Sequence, residues 1–238
     1  MKKFIKKKLR SILYFIELFF RIRVESKSPI DVYLDNLSLD CYKFFEADMK
    51  KSSIFVKDDD IRKYCISKAL KNSDNKDNLF FEFGVYTGGS INLFAKLLSR
   101  HGLEIYGFDS FEGLEEDWVT HEFNPTGTFT LNKKTPKVLK NVKIIKGKVQ
   151  DTLENFLKDE INKKIIFTHM DMDTYGATKY ALSKIKPLLT KGSIILFDNF
   201  YGFPNWQQHE YKAFTEELKE KEYKYIAFCE SPVAIEIL

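Results

Sequence analysis

LFFEFGVYTGGSINLF, residues 79–94, holds the transition that decides the fold. Leu79–Val85 is an apolar run broken only by Glu82, the length and composition of a strand buried on both faces. Gly84, Gly88 and Gly89 then allow a sharp backbone turn, with Tyr86 and Thr87 inside it. From Ser90 onward, Ile91, Leu93, Phe94, Leu97 and Leu98 recur at helical spacing. A strand, a glycine turn and a helix start in direct succession offer free backbone N–H groups to a ligand. The glycine spacing is not GxGxxG, so the dinucleotide fingerprint is absent. Taken alone, the loop also admits an ordinary strand–turn–helix joint.

Working outward, the same rhythm continues. Further apolar runs lie at Glu104–Phe108, Val142–Lys146, Ile165–Met170, Ser193–Phe197, Tyr223–Cys229 and Val233–Ile237. The first five runs are separated by segments long enough for crossover helices, the mark of parallel strands. Only Glu230–Pro232 parts the last two, which predicts an antiparallel hairpin at the sheet edge. The expectation is an α/β fold: a doubly wound, mostly parallel seven-stranded sheet over 79–238, preceded by a helical extension. That extension, 24–78, reads as helical over 31–72 and as a polar linker over 72–78.

The charge is unevenly spread. Residues 1–23 hold eight basic side chains against Glu17, a local +7 within a chain of net charge +4, which leaves the remaining residues at −3. A body of that sign does not suit nucleic acid. Ile5, Leu9, Ile12, Ile16 and Phe19 recur at helical spacing, but the uncharged stretch is too short to span a bilayer. No small-residue cleavage site follows, which argues against a signal peptide. Two readings of residues 1–23 stay open: a helix packed on its own domain or on a second copy, or a basic amphipathic helix on an anionic membrane face. Cys41, Cys65 and Cys229 are widely spaced, as expected of reduced, buried thiols in a cytoplasmic protein.

Ligands of doubly wound sheets bind beyond the carboxyl ends of the strands, so the chemistry should follow each run. After the second run, Asp109 is placed to accept hydrogen bonds from ribose hydroxyls, with Ser110 beside it; both are also good helix caps. After the third, Val149 and Gln150 could meet the face and edge of an adenine. The fourth and fifth runs end in His169-Met170-Asp171-Met172-Asp173-Thr174 and Asp198-Asn199. Asp171, Asp198 and Asn199 together make an oxygen-rich set suited to Mg²⁺, although each acid could simply cap a helix. His169 lies inside its strand and reads as structural.

EFGVYTGGS, GFDSFEGL, VQD, HMDMDTYGATKYAL and LFDNFYG, taken in order, resemble class I S-adenosylmethionine-dependent methyltransferases of the macrocin O-methyltransferase type. The metal set is also similar to that of catechol and caffeoyl-CoA O-methyltransferases. The resemblance covers about residues 79–238. It implies S-adenosylmethionine at Glu82, Gly84, Tyr86, Thr87, Gly88, Gly89, Ser90, Asp109, Ser110, Val149, Gln150 and Asp171. It implies Mg²⁺ on Asp171, Asp198 and Asn199, and a sugar hydroxyl as acceptor. Two departures stand out. The macrocin type usually carries two aspartates where this chain has Asp198-Asn199, and the catechol enzymes place a lysine where this chain has Thr174.

A sugar hydroxyl must lose a proton as it is methylated, which calls for a base. Asp171 and Asp173 are the first candidates, followed by His209 and Glu210, which could equally be an exposed helix start. The long segment Glu115–Pro136 is expected to act as a lid. Two rivals remain at this stage: the same chemistry on a catechol-like acceptor, and a non-catalytic scaffold tethered to membrane through residues 1–23.

Overall fold

The computed structural model describes Leu9 and residues 12–14, 27–73, 78–160 and 162–238. The expected helix over residues 1–23 falls largely outside the described residues, as does most of the polar stretch 72–78; Leu9, Ile12, Leu13 and Tyr14 are helical and exposed. The chain comprises two units, Met1–Asn36 and Leu37–Leu238.

Helix α1 (Pro29–Met49) begins at a reciprocal cap: Ser28 N–H donates to Asp31 Oδ2 at 2.7 Å and Asp31 N–H to Ser28 Oγ at 3.2 Å. Pro29 sits at the first helical position, where a missing N–H costs nothing. Strand β1 (Ser53–Ile54) and helix α2 (Asp58–Asn72) follow, the latter with three aspartates in its positively polarised first turn. The doubly wound part runs through β2 (Leu79–Phe83), α3 (Gly89–Leu98), β3 (Ile105–Asp109), β4 (Trp118–Val119), β5 (Phe123–Asn124), β6 (Val142–Lys146) and α4 (Val149–Asp159). It closes with β7 (Ile165–Met170), α5 (Tyr175–Ile185), β8 (Leu189–Phe197), α6 (Glu210–Glu217), β9 (Tyr223–Phe228) and β10 (Val233–Ile237).

The main sheet has the order β1-β9-β10-β8-β7-β2-β3-β6. β6, β3, β2, β7 and β8 run parallel, and β10 pairs antiparallel with both β8 and β9. The expected parallel sheet and closing hairpin are both present. The sheet has eight strands where seven were expected, because two-residue β1 adds a parallel edge to β9. It interrupts the stretch expected to be helical throughout. Ser52 and Ser53 are weak helix formers, and Phe55 N–H is held by the Phe228 carbonyl at 2.8 Å.

Strand alternation divides the core into two. Phe81 and Phe83 point into one cluster with α4, α5 and α6, where Phe83 stacks on Phe108 with ring centroids 4.9 Å apart. Phe80 points into the other, where α2 and α3 contribute Ile61, Cys65, Ile66, Phe94 and Leu98. Cys41 and Phe45 of α1 belong to the first cluster. From Leu37 onward the expected N-terminal extension therefore shares its core with residues 79–238. All three cysteines are free and buried. No helix among the described residues is long and apolar enough to cross a membrane.

Candidate active site

β2 and β7 are neighbours whose connections leave in opposite directions, which opens a crevice at their carboxyl ends. The chain just beyond β2 is held against its neighbours on both sides. Gly84 N–H donates to the Phe108 carbonyl at 2.9 Å, and Asp171 N–H to the Phe83 carbonyl at 2.8 Å. Gly84 has φ +86°, and a Cβ there would overlap the Asp171 carbonyl oxygen. Only glycine meets both conditions. Asp109 fixes the rest of the turn, its Oδ2 accepting N–H from Val85 at 2.8 Å and from Tyr86 at 2.7 Å. Oδ1 accepts from Phe111 N–H at 2.6 Å.

The crevice is a cavity of about 280 Å³, and it brings together Gly84, Tyr86, Asp109, Ser110, Val149 and Asp171 from the expected cofactor residues. Phe108, Leu114 and Ala177 add apolar wall, while Gly147 leaves another stretch open to backbone approach. This mixture suits a flat heteroaromatic group with a polar sugar. Glu82, Thr87, Gly88, Gly89, Ser90 and Gln150 are not among its walls. Glu82 is fully buried and accepts the Ser90 hydroxyl at 2.8 Å, so this pair ties β2 to α3. Gln150 donates its amide to Glu115 at 2.9 Å.

The opposite wall is acidic. Asp171, Asp173, Thr174 and Asn199 face the same cavity. Ligand atoms of His169, Asp171 and Asp198 lie within 4.8 Å of one another. His169 and Glu82 are register partners on β7 and β2, both fully buried. His169 Nδ1 stands 3.4 Å from Glu82 Oε2, an ion-pair distance that misses hydrogen-bond geometry. Its Nε2 is 3.1 Å from Asp198 Oδ1. Burial pulls the imidazole down, but Asp198 and Glu82 outweigh it and hold the pKa at about 10. Asp198 is likewise pushed up by burial, yet His169 and Arg62 bring it down to about 2. Asp171 has no such donors: burial and the nearby Asp198 raise it well above the carboxylate range. Burial and Asp198 raise Asp173 to about 7. Asp173 also adopts φ +62°, a strained conformation for a residue with a Cβ.

These residues fit a hard divalent cation. Carboxylates outnumber the donors that meet them, and Asp198 receives both His169 and Arg62 on Oδ1. Asn199 donates its amide N–H to Asp173 at 2.7 Å and its backbone N–H to Glu210 at 3.0 Å, with no donor recorded on its carbonyl oxygen. Protonated His169 supports Asp198, and the remaining candidate ligands are oxygens.

The two reserve base candidates stand off the cavity. Glu210 is fully buried instead of exposed, and it serves the Asn199 backbone. Burial lowers the His209 pKa despite the Val119 carbonyl beside it, and its ring stacks near Phe203 at 6.4 Å.

Residues 115–136 close over the crevice. They contain the β4–β5 hairpin, and Glu115, Trp118 and Phe129 line the cavity. Glu116 accepts Gly176 N–H at the start of α5 at 2.8 Å, while Phe129 meets Tyr86 edge to face at 5.6 Å. Arg62 went unread in the sequence, whereas Trp118 belongs to the aromatic-containing segment expected to cover the acceptor. Arg62 of α2 reaches Asp198 Oδ1 at 2.6 Å from 136 positions away. Trp118 is 9% exposed with its indole N–H unpartnered. A half-buried arginine inside a helix rich in charge gives no local signal.

Comparison with known proteins agrees with this architecture. The family model described as a methyltransferase domain matches residues 81–200. The solved structure of CalS11, a calicheamicin methyltransferase, superposes with a TM-score of 0.61 at 20% identity, covering 89% of this chain and 94% of that one. The apo structure of CalS11, titled a TDP-rhamnose 3'-O-methyltransferase, gives 0.57 at 19% identity, with 89% and 96% covered. The O-methyltransferase NovP gives 0.56 at 18%, with 75% and 78% covered. No curated protein sequence matches. With half its length matched by the family model, and a mostly parallel sheet closed by an antiparallel hairpin, the chain belongs to the methyltransferase-domain family and carries the class I methyltransferase fold.

Proposed function

We propose that this protein transfers a methyl group from S-adenosylmethionine to a hydroxyl of a sugar or sugar-containing small molecule, assisted by Mg²⁺. The observation that carries the reading is one cavity with two unlike walls: a glycine-rich, apolar wall suited to an adenosyl group, facing carboxylates that outnumber their donors. CalS11, a TDP-rhamnose 3'-O-methyltransferase, and the O-methyltransferase NovP support an oxygen as the acceptor atom.

Asp109 orders the turn that receives the donor, through its three backbone hydrogen bonds. Gly84 and Val149 shape the adenosyl side, with Tyr86 and Ser110 at its edge. Asp171, Asp198 and Asn199 would hold Mg²⁺, whose positive charge would favour the deprotonated hydroxyl. His169 and Arg62 keep Asp198 ionised and oriented. Asp173 lines the cavity and takes the hydroxyl proton as the C–S bond breaks and the C–O bond forms, leaving S-adenosylhomocysteine. The 115–136 segment excludes water and holds the acceptor in line with the methyl.

Three buried thiols suit a cytoplasmic protein. The basic segment 1–23 packs on its own domain or a second copy, or rests on an anionic membrane face; flotation on anionic vesicles of the full chain against a chain shortened to 24–238 separates the membrane reading from the others. The central test is transfer of labelled methyl from S-adenosylmethionine to a panel of sugars and catechols, with Mg²⁺ or with EDTA. Sugar-dependent product lost in EDTA is the expected result. Full activity in EDTA removes the metal, and product on catechol alone moves the acceptor class.

A further inference from the structure

A second cavity of about 310 Å³ adjoins the first, sharing Trp118 and Asn199 with it. The shared walls place it where an acceptor must lie if the donor occupies the first cavity. The remaining walls are Asp58, Thr120, His121, Gly202, Phe203, Glu230 and Ser231. Trp118 and Phe203 are buried and cross edge to face at 6.1 Å, which offers apolar surface to the C–H face of a pyranose. Trp118 is buried beside this cavity, and its indole N–H has no acceptor within the protein. Asp58 and Glu230 can each accept from hydroxyl or ammonium N–H groups.

The charge balance narrows the ligand further. Among the described residues no lysine or arginine lines this cavity, and His121 is the one lining side chain able to gain a positive charge. Lys148 lines the first cavity, beside Gly147 and Val149 on the adenosyl side. Arg62, one turn along α2 from Asp58, is committed to Asp198. A nucleoside diphosphate would bring its phosphates to two carboxylates with no guanidinium to receive them, whereas phosphate sites are built from arginine, lysine or helix N-termini.

Resting on the sugar reading above, we propose that the acceptor of this enzyme is a phosphate-free sugar, an amino sugar above all, rather than a nucleotide-activated one. Asp58 and Glu230 receive its ammonium and hydroxyl groups, and Trp118 with Phe203 receives its apolar face. The acids act in discrimination as much as in attraction, since the same pair that binds an ammonium repels a diphosphate.

The test measures binding, so that turnover does not confound it. The full chain is saturated with S-adenosylhomocysteine and Mg²⁺, then titrated calorimetrically with methyl β-glucosaminide, methyl β-glucoside, TDP-glucose and TDP. The expected order of affinity is glucosaminide, glucoside, then the two nucleotides. In Asp58→Asn/Glu230→Gln the glucosaminide should weaken by roughly tenfold while S-adenosylhomocysteine affinity holds. TDP or TDP-glucose binding tighter than either glycoside overturns the proposal, as does binding of neither glycoside. An unchanged double variant removes the two acids from recognition and overturns it as well. Failure to bind S-adenosylhomocysteine at all overturns the donor reading instead, which separates the two ideas.

Discussion

The two sides of the crevice solve the problem of buried polarity in opposite ways. Beyond β2 and β3 the turn is organised by Asp109, whose carboxylate accepts three backbone N–H groups. Beyond β7 and β8, Asp171, Asp173 and Asp198 crowd together, with Glu210 buried close enough to be pushed up by burial and by those acids. Two cationic side chains, Arg62 and His169, both go to one oxygen of Asp198. The first side is finished without a ligand and behaves as a mould. The second gathers more carboxyl groups than the protein supplies donors for, and their burial and mutual proximity push Asp171 and Asp173 up.

The largest effect should come from the acidic side. Asp198→Ala removes a candidate ligand and strands Arg62 and His169, so Mg²⁺-dependent turnover should fall by more than about 100-fold. Affinity for S-adenosylhomocysteine, read by calorimetry, should stay within about threefold, since Asp198 does not line the donor cavity. A comparable loss of donor affinity would erase the distinction between the two sides.

Gly84→Ala attacks the place where the sides meet. A Cβ would overlap the Asp171 carbonyl, at a φ of +86° that alanine disfavours. A loss of about 3 kcal/mol is expected, measured by urea unfolding. A variant of wild-type stability would show that the backbones part freely there.

Asp109→Ala tests the mould. It leaves the N–H groups of Val85, Tyr86 and Phe111 without their acceptor, and S-adenosylhomocysteine affinity should drop about tenfold. Asp109→Asn, which retains an accepting oxygen, should recover part of it. Unchanged affinity in the alanine variant would show that the turn holds its shape unaided.

The contrast also marks what could be read from the sequence. The strand ends were legible because each hydrophobic run is bounded by polar or glycine residues, and β6, β7 and β10 begin and end where their runs do. Asp109, Asp171, Asp198 and Asn199 followed from those boundaries by the rule that ligands bind there. What a side chain does once placed was less legible. Asp109 carries the sequence pattern of a ribose acceptor and lines the cavity, but nothing in the sequence announces that its oxygens also hold the turn through three backbone N–H groups; Gln150 turns to Glu115. Arg62 could not be found, because its meaning depends on α2 packing beside β7 and β8, a contact no local pattern encodes. β1 is too short for any periodicity to register, and Glu210 reads as exposed because its burial comes from elements far along the chain.

The lid joins both sides, and it offers the smallest and most specific perturbation. Glu115 holds Gln150 next to the mould, while Glu116 accepts Gly176 N–H at the start of α5, next to the acidic wall. A carboxylate at a helix N-terminus is worth about 0.3–1 kcal/mol, so Glu116→Gln should raise the open population of residues 115–136 by roughly two- to fivefold. Limited trypsin cleavage at Lys133 or Lys134 reports that population, and S-adenosylhomocysteine should slow it in the wild type more than in the variant. If cleavage is the same with and without ligand in both proteins, the segment is a fixed wall of the cavity, and closure of this loop has no part in coupling the mould to the acidic side.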